Sequence, residues 1–191
     1  MYAGAFTTGF VQTQGLEASP WGASLLQAFT QAHTRSPSCP KPEDQFEEKV
    51  LQIVAQHWGK ADLEVQLSQR TPQGNTLLHL AAQYGYSHIL QMLLDEGLLH
   101  ADVHNQYRKT PLHLAAESGN SKLIPLLALS GANLNAQDEK GNTPLHLACR
   151  KGHACTVKIL LEWRADLNQL NQKGQTAAYL AEQKGQALPL Q

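Results

Sequence analysis

The sequence has few charged residues, few cysteines and no long apolar run. Only 16% of its 191 residues are Asp, Glu, Lys or Arg, against about 25% in a typical domain. The net charge of −1 argues against a general attraction to nucleic acid or to an anionic membrane. No apolar run is long enough for a membrane-spanning helix, and residues 1–14 lack the Lys, Arg and apolar block of a secretory signal.

Three cysteines are too few, and odd in number, for a disulfide framework. We therefore expect a soluble monomer of a reducing compartment. The cytoplasm is the predicted location, with the nucleus as an alternative and the host cytosol as another if the protein is a secreted effector.

The charged residues are unevenly distributed along the chain. Residues 1–42 carry three of them and four prolines, whereas residues 43–191 carry the other 28. This composition predicts a mostly disordered N-terminal arm over 1–42, with a short helix over 19–33 that begins at Ser19-Pro20. From Pro42 onward, apolar residues with helical spacing predict an amphipathic helix that ends at Gly59.

A seven-residue block recurs with a period of 33 or 34 residues. It begins at Thr76, Thr110 and Thr143, with a degenerate copy from Thr176, and each of the first three copies has a histidine at its fourth position. A glycine follows the start of every block by nine residues. Such a period predicts a solenoid in which each unit buries its apolar face against its neighbours.

The best copy is Gly-Asn-Thr-Pro-Leu-His-Leu-Ala over 141–148, followed by Gly152-His153 and by Val157-Lys158-Ile159-Leu160-Leu161. This pattern resembles the ankyrin repeat. The resemblance implies an all-α solenoid of stacked helix-turn-helix units with projecting β-hairpin-like loops, about three full repeats and partial terminal repeats. The predicted domain, 43–191, comprises an N-terminal capping helix and long loop (43–72), repeats at 73–105, 106–138 and 139–171, and a partial C-terminal repeat (172–191).

Two arginines depart from the repeat pattern at positions where glycine is expected. Arg108 stands at the loop tip that Gly74, Gly141 and Gly174 occupy in the other copies, and Arg164 stands where Gly131 closes a second helix. If these backbones have positive φ, each arginine costs roughly 1 kcal/mol relative to glycine. A residue that structure disfavours is a hint of function.

The sequence offers one arrangement that resembles a metal site and no catalytic motif. Two His and two Cys, at His146, Cys149, His153 and Cys155, could complete a tetrahedron. However, both histidines belong to the repeat pattern, and Cys149 takes a packed alanine position. There is also no phosphate loop, Gly-x-Ser-x-Gly or His-Glu-x-x-His motif. We therefore predict no metal, no cofactor and no enzymatic activity.

The resemblance implies a protein-binding module whose partner contacts the loop tips and the outer positions of the first helices, which line a concave face. We predict the following contacts: Asn75, Gln83, Tyr84, Tyr107, Arg108, Lys109, Glu117, Lys140, Asn142, Arg150, Lys151 and Lys173. This face is aromatic toward the first repeats and basic toward the last. It predicts an acidic or tyrosine-accommodating protein segment as the partner.

Three functions are consistent with these patterns. The first is an adaptor or effector that recruits a protein. The second is an inhibitor of a Rel/NF-kappa-B-type transcription factor, because residues 105–113 and 141–152 resemble repeats of that inhibitor family, although its Asp-Ser-Gly-x-x-Ser motif is absent. The third is an enzyme accessory subunit whose activity depends on residues 1–42.

Overall fold

The computed structural model describes residues 26, 50–52, 67, 69–95, 97, 99–183 and 185. Its contacts divide the chain into two compact units, Met1–Gln69 and Arg70–Gln191. In the first unit Leu26, Val50 and Leu67 are helical and buried. Few of the described residues fall in the predicted arm, which includes the predicted helix over 19–33, or in the predicted capping helix and loop over 43–72. The remainder of these predictions lies outside the described residues.

Seven helices lie in the described part of the second unit, in which no residue is in a strand. Helix α1 spans Leu77–Tyr84, α2 Ser87–Asp95, α3 Pro111–Ser118, α4 Leu123–Leu129, α5 Pro144–Lys151, α6 Ala154–Glu162 and α7 Ala177–Gln183. The first helices of the repeats, α1, α3, α5 and α7, pack on one another in a row, and each second helix packs on the first helix of its own repeat. The predicted all-α solenoid is confirmed.

The repeated block encodes the start and the end of each first helix. Thr110 and Thr143 have extended backbones at the N-caps of α3 and α5, and a proline follows each at the first helical position, where no N–H donor is needed. Gly119 and Gly152 end the same helices with φ of 79° and 85°, and their N–H groups donate to Ala115 and Ala148.

Small and large apolar residues together fill the core between the helices. Ala81, Ala115 and Ala148 are fully buried in the row of first helices, where their small side chains allow close approach. The second helices contribute larger residues at matched phases, such as Leu90 with Leu93 and Ile124 with Leu127, all fully buried. No single repeat could cover this surface alone, so the stack forms the core.

Buried histidines connect each repeat to the next. In His113 the ring Nδ1 accepts from the Thr110 backbone N–H at 3.1 Å, which places the proton on Nε2, and Nε2 donates to the Asn142 carbonyl at 3.0 Å. His79 and His146 make equivalent contacts with the carbonyls of Lys109 and Gln175. Burial lowers the pKa of His79 and His113 to about 4, so both are neutral near pH 7.

Candidate functional site

Each loop tip is fixed by a polar side chain that accepts hydrogen bonds from its own backbone. Asp138 Oδ1 accepts from the N–H groups of Lys140 and Asn142 at 2.9 and 2.8 Å. Asn105 and Asn171 accept from the residues two and four positions later in the same way, at 2.9–3.0 Å. The repetition of this turn gives the three tips closely similar backbones.

Backbone hydrogen bonds also join consecutive tips. The N–H of Gln106 donates to the carbonyl of Gln73 at 3.1 Å, and the N–H of Glu139 donates to the carbonyl of Tyr107 at 3.0 Å. The N–H of Gln172 donates to the carbonyl of Lys140 at 3.0 Å. The four tips therefore form one ladder, which holds them in a fixed register.

The ladder presents one row of outward side chains, at homologous positions of successive repeats. This tip row consists of Gln73, Tyr107, Lys140 and Lys173, all exposed. Tyr107 is 45% exposed, similar to Tyr179 at 46% in the last helix. Along the row the chemistry changes from a neutral amide to an aromatic ring and then to two cations.

Arg108 is adjacent to the tip row and has a strained backbone. Its φ is 56°, and Arg164 at the end of α6 has a φ of 65°. These are the two non-glycine residues with positive φ in the described ranges, and the sequence singled out both. Arg108 is exposed at its tip, so the strain is not explained by packing of its side chain.

Beside the tips, Lys109, Glu117 and Arg150 form an ion-pair cluster that spans two repeats. Lys109 Nζ lies 2.5 Å from Glu117 Oε2, and Arg150 Nη2 lies 3.5 Å from Glu117 Oε1. Burial opposes ionisation of Glu117, but the hydrogen bond from Lys109 and the nearby positive charges outweigh it, so the pKa of Glu117 is lowered. Lys151, next to the cluster, is exposed.

The other predicted contacts are less accessible. Asn142 is 4% exposed, and its side chain bonds to Asp138 Oδ2 and to the Asn171 amide. The side-chain oxygen of Asn75 accepts from Asn105 Nδ2 at 2.8 Å. Gln83 and Tyr84 are half-buried, and burial raises the pKa of Tyr84. The surface proposed below leaves out all four residues, since the amides of Asn142 and Asn75 bond to neighbouring loop residues and Gln83 and Tyr84 are half-buried.

Sequence reasoning missed the residues that hold the tips in place. Asn105, Asp138 and Asn171 recur at a spacing of 33 residues, so their common phase could have marked them as tip supports. Arg70 was also missed. Its guanidinium donates to the carbonyls of Gly74 at 3.2 Å and His104 at 2.7 Å, which joins the first two loops.

The residues that resembled a metal site have other contacts. His146 bonds to Thr143 through Nδ1 and to the Gln175 carbonyl through Nε2, and His153 Nε2 lies 3.0 Å from the Glu117 carbonyl. Cys149 is buried, whereas Cys155 is exposed. Within the described ranges, no group of three His, Cys, Asp or Glu side chains is arranged to hold a metal ion.

None of the helices in the described part of the chain has the length and hydropathy that a bilayer span requires.

Comparison with known proteins agrees with this geometry. A family model that represents ankyrin repeats in three copies matches residues 45–138 and 116–188. Similar curated proteins include mouse ankyrin repeat and SOCS box protein 11, which is 37% identical over 79 residues, or 41% of this chain and 24% of that protein. The mouse B-cell lymphoma 3 protein homolog is 36% identical over 84 residues, or 44% of this chain and 18% of that protein.

A third relative is the mouse nuclear factor NF-kappa-B p105 subunit, 39% identical over 66 residues, or 35% of this chain and 7% of that protein. The matched segments thus span at most about a quarter of the length of these three relatives. What they share with the chain is the ankyrin repeat, a generic protein-interaction module. Because the family model covers most of the sequence, the chain belongs to the ankyrin-repeat family.

Proposed function

We propose that the protein is a non-catalytic adaptor or effector that binds a partner protein through its tip-and-helix surface. We define this surface as Tyr107, Arg108, Lys140 and Lys173 at the tips, with Lys109, Glu117, Arg150 and Lys151 beside them. The observation that carries the proposal is the tip ladder, because it holds exposed side chains from successive repeats in one register.

A rigid ladder favours binding for an entropic reason. Exposed side chains on mobile loops must be ordered when a partner binds, which lowers the affinity. Here the turns at Asn105, Asp138 and Asn171, together with the hydrogen bonds between tips, already fix the backbone beneath the exposed residues. Tyr107 and the arginines supply the large amphipathic side chains that dominate binding energy in protein interfaces.

Affinity purification with matched variants tests this proposal. The tip variant carries Tyr107→Ala and Lys140→Gln. The control variant carries Lys122→Gln and Lys158→Gln, which alter two exposed lysines at the start of α4 and within α6. A direct partner should copurify with the wild type and the control but not with the tip variant. If every copurifying protein remains bound to the tip variant, the surface is wrongly assigned.

A second function is favoured by two of the relatives. The similarity to the NF-kappa-B p105 subunit and to the B-cell lymphoma 3 homolog supports the resemblance of residues 105–113 and 141–152 to inhibitors of Rel-type factors. Under this alternative, the partner is a Rel homology region. A pulldown with a purified Rel homology region distinguishes the two functions, since a general adaptor would not retain it.

A further inference from the structure

Most acidic side chains on the loops of the described part bond to its own backbone. Asp138 is 4% exposed and accepts from two N–H groups of its tip. Asp102 Oδ1 accepts from the Asn133 N–H at 2.8 Å, and Asp166 Oδ1 accepts from the Asn168 N–H at 2.9 Å. Asp138 and Asp166 hold their own turns and Asp102 joins two repeats, so part of their charge is already satisfied within the fold.

Two further acids are paired with cations. Glu117 forms ion pairs with Lys109 and Arg150, and Glu162 Oε1 lies 3.9 Å from Lys158 Nζ on α6. The unit Arg70–Gln191 contains 11 Lys and Arg and 9 Asp and Glu, so it is nearly balanced by count. The balance by position is different at the loops, where Asp102, Asp138 and Asp166 accept backbone hydrogen bonds while several cations stay exposed.

Three exposed cations lie at the loop tips, whereas Lys122, Lys151, Lys158 and Arg164 are exposed elsewhere. Arg108, Lys140 and Lys173 are all exposed, and none of them forms an ion pair with another described residue. Glu139 is an exposed acid on these same tips. The exposed side chains at the tips of the second, third and fourth repeats, three cations against Glu139, therefore carry a net positive charge, although the whole chain has a formal charge of −1.

Helix electrostatics explains other cations of the surface but not these three. Arg150 and Lys151 lie in the last turn of α5, where the helix dipole favours positive charge whether or not a partner exists. Arg108, Lys140 and Lys173 lie outside the helices. Arg108 also has a strained backbone at a position where the other tips have glycine, so its presence costs stability.

We propose that the partner segment is acidic: an extended stretch rich in Asp and Glu whose carboxylates contact Arg108, Lys140 and Lys173. The inference rests on the proposed function and adds the chemistry of the ligand. Because Arg108, Lys140 and Lys173 lie on successive tips, the acidic stretch runs along the second, third and fourth tips, and an apolar side chain packs against Tyr107.

A displayed library of random dodecapeptides tests this inference. The full chain, the double variant Lys140→Gln/Lys173→Gln and the control Lys122→Gln/Lys158→Gln each serve as bait. We expect the wild type and the control to enrich peptides rich in Asp and Glu, and the tip-lysine variant to lose that enrichment. By fluorescence anisotropy, an enriched acidic peptide should bind the tip-lysine variant about tenfold more weakly and the control within about twofold of the wild type.

The outcomes separate the inference from the proposed function. If the enriched peptides need Tyr107 but are neutral or basic, the surface is correct and the acidic partner is wrong. If the enriched peptides bind Tyr107→Ala and the tip-lysine variant as tightly as they bind the wild type, the surface itself is wrong. Equal weakening in the control variant, or tighter binding to a polyphosphate chain than to the acidic peptides, would also overturn the inference, because either would indicate unspecific charge attraction.

Discussion

Replacement of each of the two strained arginines by glycine should separate stability from function. Arg108 has a φ of 56° and Arg164 a φ of 65°, both in the left-handed region. Arg108 lies on the tip-and-helix surface, whereas Arg164 follows the end of α6, outside the tip row. We expect Arg108→Gly to stabilise the fold and weaken binding, and Arg164→Gly to stabilise the fold and leave binding unchanged.

The expected gain follows from the backbone and from the neighbouring atoms. A left-handed conformation costs a non-glycine residue roughly 1–2 kcal/mol, and the greater freedom of glycine in the unfolded chain offsets about 0.4–1 kcal/mol of this. A Cβ on Gly141, the counterpart of Arg108, would lie 2.8 Å from the backbone nitrogen of Gln172, whereas a Cβ on Gly131, the counterpart of Arg164, would meet nothing within 4 Å. We therefore expect the free energy of unfolding to rise by about 1 kcal/mol in Arg108→Gly and by about 0.5 kcal/mol in Arg164→Gly.

Urea denaturation followed by circular dichroism measures both gains, and fluorescence anisotropy with an enriched acidic peptide measures binding. Arg108→Lys is the charge control, since it keeps the cation and the strained backbone. It should bind almost as well as the wild type without a gain in stability. The reasoning is refuted if Arg108→Gly lowers the free energy of unfolding. If instead it raises stability with binding unchanged, Arg108 does not contact the partner.

Three further predictions follow from the same geometry. Gly141→Ala should lower the free energy of unfolding by about 2–4 kcal/mol, because backbone strain adds to a close contact with the Gln172 backbone, whereas Gly131→Ala should lower it by about 1 kcal/mol. Equal losses in urea denaturation would contradict this. Burial lowers the pKa of His79 and His113 to about 4, so the unfolded chain binds more protons than the folded one below about pH 6.5. The free energy of unfolding should therefore fall from about pH 6.5 toward about pH 4, by on the order of 2 kcal/mol per histidine near pH 5, and urea midpoints that do not change with pH would contradict this. Glu117→Gln should cost less than about 1 kcal/mol, because the ion pair is partly exposed, and should tighten binding of an acidic peptide in the anisotropy assay; weaker binding would indicate a basic partner.

The local chemistry of the repeat made the fold predictable from sequence. The threonine caps, the prolines at the first helical position and the glycines at the helix ends act over a few residues, so their spacing alone located the first helices. The positive φ values of Arg108 and Arg164 were predictable for the same reason, since the glycines at the same phase marked a left-handed position. The division into an arm over 1–42 and a domain over 43–191 stays a prediction.

The candidate surface was only partly predictable. The position within the 33-residue repeat identified four residues as tip residues, and all four are exposed: Tyr107, Arg108, Lys140 and Lys173. The same phase argument included Asn142, which is buried two residues away from Lys140. The difference arises because Asn142 bonds to the supports of two adjacent tips, and such contacts depend on how the repeats stack.

The sequence alone determined the repeat, the ends of its first helices and the residues at its tips, because these depend on interactions between residues close in the chain. Only the tertiary structure decided which charges remain available to a partner. Glu117 meets Arg150, which is 33 residues away in the chain, and Asp102 meets the Asn133 backbone, which is 31 residues away. Such pairings arise when one repeat is packed on the next, and they leave the tip cations exposed on a nearly neutral protein.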